Sequence, residues 1–126
     1  EEVTRRRLTL CAAYRGGLAS CFARELLLPM ETPPYARGNG HLYYIRCRSS
    51  HQLEQIKNAL HSQEIGCATH FVPLHLGGMG KELGYRRGDF PISEQTADTL
   101  LRLPLYHTLG EEEIGRICET IEKVIG

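Results

Sequence analysis

The sequence predicts one small α/β domain of the mixed α+β kind, a sheet of about three strands covered by helices. Three observations lead there. Three short runs read as strands, "HLYYIRC", rich in β-branched and aromatic residues, then "GCATHFV" and "RLPLY". Between them lie segments whose apolar residues recur at helical spacing. At 126 residues the chain has the length for one core, burying roughly two-thirds of its unfolded surface.

In chain order, Val3, Leu10, Cys11, Tyr14 and Leu18 recur at helical spacing, so a helix is expected over about 2–18, weakening at Gly16-Gly17. It opens without an initiator Met, a turn or a cap. An upstream portion is therefore expected, with Val3, Leu10 and Tyr14 as an apolar strip packed on it. "PMETPPYARGNG", residues 29–40, reads as a surface loop. A strand is expected over 41–47. Ser49 and Gln52 then form a capping-box pattern ahead of Leu53, Ile56 and Leu60, one face of a helix ending near Gln63.

The second strand is expected over 66–72, where Pro73 stops it. Residues 74–90, carrying five glycines, read as a long loop. A short helix starts near Pro91. A third strand over about 101–106 contains Pro104, which argues for a sheet edge. In the last helix Thr108 and Glu111 form a second capping box, and Glu111, Glu112 and Glu113 suit the positive end of the helix dipole. Its buried stripe is Ile114, Ile117, Cys118, Ile121, Val124 and Ile125.

Composition excludes several classes of function. With 15 basic and 15 acidic residues, the chain has no overall field to attract nucleic acid or anionic lipid. No apolar run approaches the ~20 residues of a membrane span. Five cysteines at irregular spacing, with no C-x-x-C pair, read as reduced thiols of a cytoplasmic protein. Cys11, Cys47, Cys67 and Cys118 lie in apolar-patterned segments and are expected to pack.

The stretch "THFVPLHLGGMGKELGY", residues 69–85, is the chemically suggestive one. His70 and His75 flank Pro73. A metal reading lacks a third ligand at a recognisable spacing, and a catalytic base lacks a nucleophile or a paired carboxylate beside it. Packing and ligand binding both stay open. His75 stands beyond Pro73 at the mouth of the loop, where an imidazole can donate to a phosphate or sugar oxygen. His70 and Phe71 alternate, so one of the two must face inward if the strand is regular. The glycines do not form a phosphate loop, because Lys81 is followed by Glu82 and not by Ser or Thr. A mobile flap is the other reading.

Four blocks in register, "HLYYIRC", "EIGCATHFVPLH", "LGYRRGDFPISEQ" and "LRLPLYHTLGEEEIGRIC", resemble the C-terminal small domain of the pyridoxal-phosphate-dependent nucleotide-sugar aminotransferases of the DegT/StrS type, fold type I. The resemblance spans nearly the whole chain. It implies transfer of an amino group from glutamate to a keto sugar nucleotide, for amino-sugar, polysaccharide or lipopolysaccharide biosynthesis, by a homodimer that binds PLP. It places residues 1–126 as a single domain. The cofactor lysine, the acid at the pyridine nitrogen and the phosphate cup then belong to an absent N-terminal large domain.

No residue of this chain is expected to be catalytic or to bind the cofactor, and the fragment alone is expected to be inactive. Lys57, Lys81 and Lys123, its only lysines, read as surface residues. His75, His70 and His41 are the residues that the resemblance points towards the sugar nucleotide. Two other functions stay in view: a PMP-dependent sugar dehydratase of the same family, with histidine in place of the lysine, and a non-catalytic αβ ligand-binding module.

Overall fold

The computed structural model describes residues 1–126. The elements are α1 (Glu2–Gly17), α2 (Ala19–Ala23), β1 (Tyr43–Arg46), α3 (Ser50–Ser62), β2 (Ala68–Thr69), a 3-10 turn (Leu74–Leu76), α4 (Gly78–Glu82), α5 (Pro91–Thr99), β3 (Leu100–Leu103) and α6 (Glu111–Ile125). This is the mixed α+β architecture the sequence predicts. The strands form one antiparallel sheet in the order β1-β3-β2.

Alternation along the strands sorts side chains between two faces. Tyr43, Ile45, Leu101 and Leu103 point into the core, where they meet Leu10, Tyr14 and Leu18 near the N-terminus, Leu53, Ile56 and Leu60 of α3, and Ile114, Ile117, Cys118 and Ile121 of α6. The helices thus cover one side of the sheet. Tyr44, Arg46 and Arg102 lie on the other, half-buried. Leu100 shares that outer side and is buried outside the main core.

Several expectations are corrected. Leu10 and Tyr14 are fully buried in this domain's own core, and of the supposed apolar strip only Val3 is exposed. The period of 3.6 shows which face is apolar but not which neighbour covers it. β3 is the central strand and not an edge, because it ends at Leu103 and Pro104 falls just beyond the ladder. The Pro104 carbonyl instead accepts the Tyr14 hydroxyl at 2.8 Å. β2 shrinks to two exposed residues, after which residues 70–73 leave the sheet. On the outer edge of β1, Leu28 forms an unforeseen antiparallel bridge with Arg46.

The caps divide similarly. Ser49 Oγ accepts the Gln52 amide at 3.1 Å, as the pattern predicts, while Gln52 Oε1 reaches one residue further back to the Arg48 amide at 2.7 Å. Thr108 does not cap α6. Helix α6 starts at Glu111 behind Gly110, whose amide donates to Glu113 Oε2 at 2.7 Å. Glycine has no side chain to return the bond, so only half of a capping box exists.

The cysteines are packing residues. Burial pushes the thiols of Cys47 and Cys118 up to about 12 and raises those of Cys11, Cys21 and Cys67, which removes thiolate reactivity near neutrality. No helix is long and apolar enough to cross a membrane.

Candidate functional site

The segment from His70 to Phe90 is built around one carboxylate. Helix α5 begins with Pro91, whose missing N–H and fixed φ suit the first helical turn. Three residues on, Glu94 turns back into the protein, only 6% exposed. Its Oε1 is 2.8 Å from His75 Nε2, and both oxygens accept the Gly88 amide at 2.8 and 3.0 Å. The Phe90 amide reaches Oε1 at 3.4 Å. Gly88 presents its amide from φ +102°, a conformation that a side chain disfavours. An ionised carboxylate only accepts, so the hydrogen between Glu94 and His75 sits on Nε2.

His75 is therefore not at the mouth of a loop. It is 9% exposed, bonded to Glu94 and packed at 4.8 Å between ring centroids against Phe90. The imidazole ties the turn after Pro73 to the start of α5. Residues 78–82 form α4, with Gly80 seated directly against the His75 backbone.

Glu94 also gives the segment a pH dependence of known sign. The hydrogen bond from His75 holds its carboxyl below the ordinary glutamate value of 4.5, against the opposing effect of burial and with help from the Gly88 and Phe90 amides. A carboxyl depressed in the folded state contributes stability that is complete above the unfolded value and is lost as pH falls through the folded one. Arg87, 3.8 Å from Glu94 Oε2 and paired at 2.9 Å with Asp98, favours the same charged state. The NMR signals of the Gly88 and Phe90 amides should stay fixed from neutrality down to the ordinary glutamate range and move together below it. In Glu94→Gln that step should vanish. A transition well above pH 4.5 would show that another group controls the turn.

Anchored at this end, residues 70–74 present their side chains outward. Phe71, Val72 and Leu74 are 75%, 67% and 93% exposed. Strand alternation does not force His70 or Phe71 inward, because the strand has already ended. Both are exposed, with rings edge-on at 5.0 Å. Behind them stands Arg102 of β3, its guanidinium carbon 5.9 Å from the Phe71 ring centroid, within the range of a cation–π contact. Arg102 and His41 line the same open depression of about 400 Å³, beside Ala68. His41 is exposed, its Nδ1 2.9 Å from Asn39 Oδ1.

The fold thus gathers His41, Arg102, Phe71 and His70 along the outer side of the sheet, while His75 serves as an internal anchor. Sequence reasoning missed Arg102 and Glu94. For Arg102 the available signal was a charge at an alternate position of "LLRL". For Glu94 it was a glutamate one turn inside a proline-started helix, downstream of a glycine. Nowhere do three His, Cys, Asp or Glu side chains converge as a metal site would require.

The three lysines lie on the surface or in local ion pairs. Lys57 Nζ is held by the Glu54 carboxylate at 2.8 Å, while Lys81 and Lys123 are surface residues of α4 and α6.

Comparisons with known proteins agree with this architecture. The erythromycin biosynthesis sensory transduction protein EryC1 of Saccharopolyspora erythraea is 31% identical over 93% of this chain and 31% of its own length. The dTDP-3-amino-3,4,6-trideoxy-alpha-D-glucose transaminase of Micromonospora megalomicea subsp. nigra is 27% identical over 98% of this chain and 36% of its own. Among solved structures, Spr1654 of Streptococcus pneumoniae in its PMP form superposes with a TM-score of 0.85 at 25% identity, covering 98% of this chain and 31% of that one. The chain therefore spans about a third of the length of these relatives. The profile of the DegT/DnrJ/EryC1/StrS aminotransferase family matches residues 1–122, and the chain belongs to that family.

Proposed function

We propose that these residues are the C-terminal small domain of a PLP-dependent sugar aminotransferase, which moves an amino group from glutamate to a keto sugar nucleotide in amino-sugar biosynthesis. The observation that carries this reading is the family match across residues 1–122. Relatives named as acting on nucleotide-linked sugars support it, among them the Micromonospora transaminase on a dTDP-linked sugar. PLP, in this reading, supplies the electron sink for amino transfer and is held by a large domain outside residues 1–126. The parent works as a cytoplasmic homodimer.

The chain's own contribution is to the large substrate. His70 offers an imidazole to sugar or phosphate oxygens, Phe71 an exposed ring face for the base, and His41 a second imidazole across Arg102. His75 and Glu94 hold that surface in shape without touching the substrate. Rigid support of this kind matters because a displacement of about 1 Å can cost a hundredfold in rate.

The test is steady-state kinetics of the full-length parent with glutamate and a panel of keto sugar nucleotides. His70→Ala and Phe71→Ala should each raise KM for the sugar nucleotide roughly tenfold to a hundredfold, the loss of a contact to a charged or stacked group. The half-reaction with glutamate should be unaltered. A full-length protein that transfers no amino group, or that dehydrates the sugar, would overturn the reading.

A further inference from the structure

A hollow of about 500 Å³ opens where the end of α3, the segment after β3 and the first turns of α6 meet, within the size range of small-molecule sites. It adjoins the depression of His41 and Arg102 across Gly66 and Pro104 and shares none of its charged residues. The floor is apolar. Leu109 and Ile117 are buried there, with Ile65 partly buried beside them. The charged groups stand exposed at the rim, Glu64 just after α3 and Arg116 on α6, and neither enters an ion pair in this domain.

Glu64 holds its place against local preference. It follows the C-cap of α3, its amide on the His61 carbonyl at 3.0 Å and the Ile65 amide on that of Leu60 at 2.9 Å, a helix ending in which glycine is usual at this position. Its φ of +59° is strained for any side chain. Strain kept at a residue that lines a cavity points to a use for its side chain.

The walls are fixed before any ligand arrives. Arg6 donates to the Leu109 carbonyl at 2.8 Å, the Gly110 amide to Glu113 Oε2 at 2.7 Å, and the Tyr106 hydroxyl to Glu113 Oε1 at 3.4 Å. Both oxygens of Glu113 are thereby engaged. Glu64 is left as the free acid and Arg116 as the free base, with the Tyr106 ring lining the same hollow. One carboxylate, one guanidinium and an apolar floor match a molecule that carries an ammonium and a carboxylate on an apolar body.

We propose that this hollow binds an apolar α-amino acid in its zwitterionic form. Arg116 takes the carboxylate through its forked N–H donors, Glu64 takes the ammonium with the Tyr106 ring alongside, and the side chain rests on Ile65, Leu109 and Ile117. Glutamate, the amino donor of the reading above, is a poor fit, because its second carboxylate would meet that apolar floor with no second free base. The site is therefore separate from the donor site of that reading.

NMR titration of the 126-residue chain, whose core closes within itself, tests this. Leucine, N-acetyl-leucine, leucinamide, glycine and glutamate are added separately while the backbone amides of Glu64, Gly66, Leu109 and Arg116 are followed. Leucine should give saturable movement, its affinity falling as salt is raised. The other four, which lack the ammonium, the carboxylate or the apolar body, or carry a second acid, should each bind about tenfold or more weakly. Arg116→Gln should weaken leucine binding by a similar factor, and so should Glu64→Gly. Glycine suits that helix end, so an unfolding midpoint in urea at or above that of the unaltered chain shows that affinity and not folding was lost. Glu112→Gln, exposed in the first turn of α6 and outside the hollow, should leave binding unchanged.

Movement without saturation overturns the site, as does leucine binding that survives both Arg116→Gln and Glu64→Gly. Leucinamide, N-acetyl-leucine or glutamate binding as tightly as leucine overturns it equally, because the two charges or the apolar floor would then play no part. None of these outcomes depends on amino transfer by the full-length protein.

Discussion

Tyr14→Ala should lower the stability of the domain by about 3–5 kcal/mol, the range for deleting a buried aromatic side chain. Tyr14 is fully buried and stacks on Tyr43 of β1 at 4.8 Å with rings 11° from parallel. Its hydroxyl donates to the Pro104 carbonyl at the end of β3. One side chain thus ties α1 to two strands, and burial pushes its phenol so far up that it stays neutral at any working pH. For a domain of this size the loss amounts to a fall in Tm of roughly 10–20 °C. Tyr14→Phe keeps the stack and deletes only the hydroxyl, so it should cost about 1 kcal/mol. Urea unfolding of both variants decides the matter. Equal losses would mean that the hydrogen bond dominates, and a loss below about 1 kcal/mol for Ala would remove Tyr14 from the centre of the core.

Gly80→Ala is the second large effect, and it is local. A Cβ at Gly80 would lie 2.5 Å from the carbonyl carbon of His75 and 2.6 Å from its Cα, with the His75 carbonyl oxygen closer still. These are backbone atoms of a turn whose imidazole is fixed to Glu94, so neither side can yield cheaply. Overpacking of this kind costs about 1–3 kcal/mol. The cost should appear as lost hydrogen-exchange protection within 74–90, with α6 unaffected, because the segment can open without dissolving the main core. On the reading proposed above, the same substitution in the full-length protein should displace His70 and Phe71 and raise KM for the sugar nucleotide. Gly78→Ala, where an added Cβ meets nothing within 4 Å, serves as the control. Protection lost equally in α6 would show that the segment and the core unfold as one unit.

What the sequence made legible follows from the range of the forces involved. Period and capping chemistry act within a few residues, so α1, α3, α5, α6 and the core face of β1 could be read directly. The Ser49 cap and the stripe from Ile114 to Ile121 are instances. Contacts between distant segments could not be read. The central position of β3 depends on which strands flank it, and a proline one residue past the ladder looked like a proline inside it. The bond from His75 to Glu94 spans 19 residues, and nothing in either local pattern announces it. Alternation suggested that His70 or Phe71 faces inward, and both face outward because β2 stops at Thr69, earlier than the composition of residues 66–72 suggests. Arg102 was overlooked because a lone arginine in a strand is ordinary. Its significance comes from the neighbours the fold gives it, Phe71 and His41.

The pairing of β1 with β3 governs how this domain comes into being. Ile45 faces Leu101 across the ladder, and everything from α3 to α5 is made between them. Closing so long a loop costs entropy before any contact rewards it. While a ribosome is still translating α5, α1 and α3 have neither the central strand nor α6 to pack on. Leu10, Tyr14, Leu53 and Ile56 then stay wet. The interior forms only once α6 has been synthesised, so this segment leaves its apolar surface uncovered until its last helix emerges. That interval is when chaperones have the most to hold.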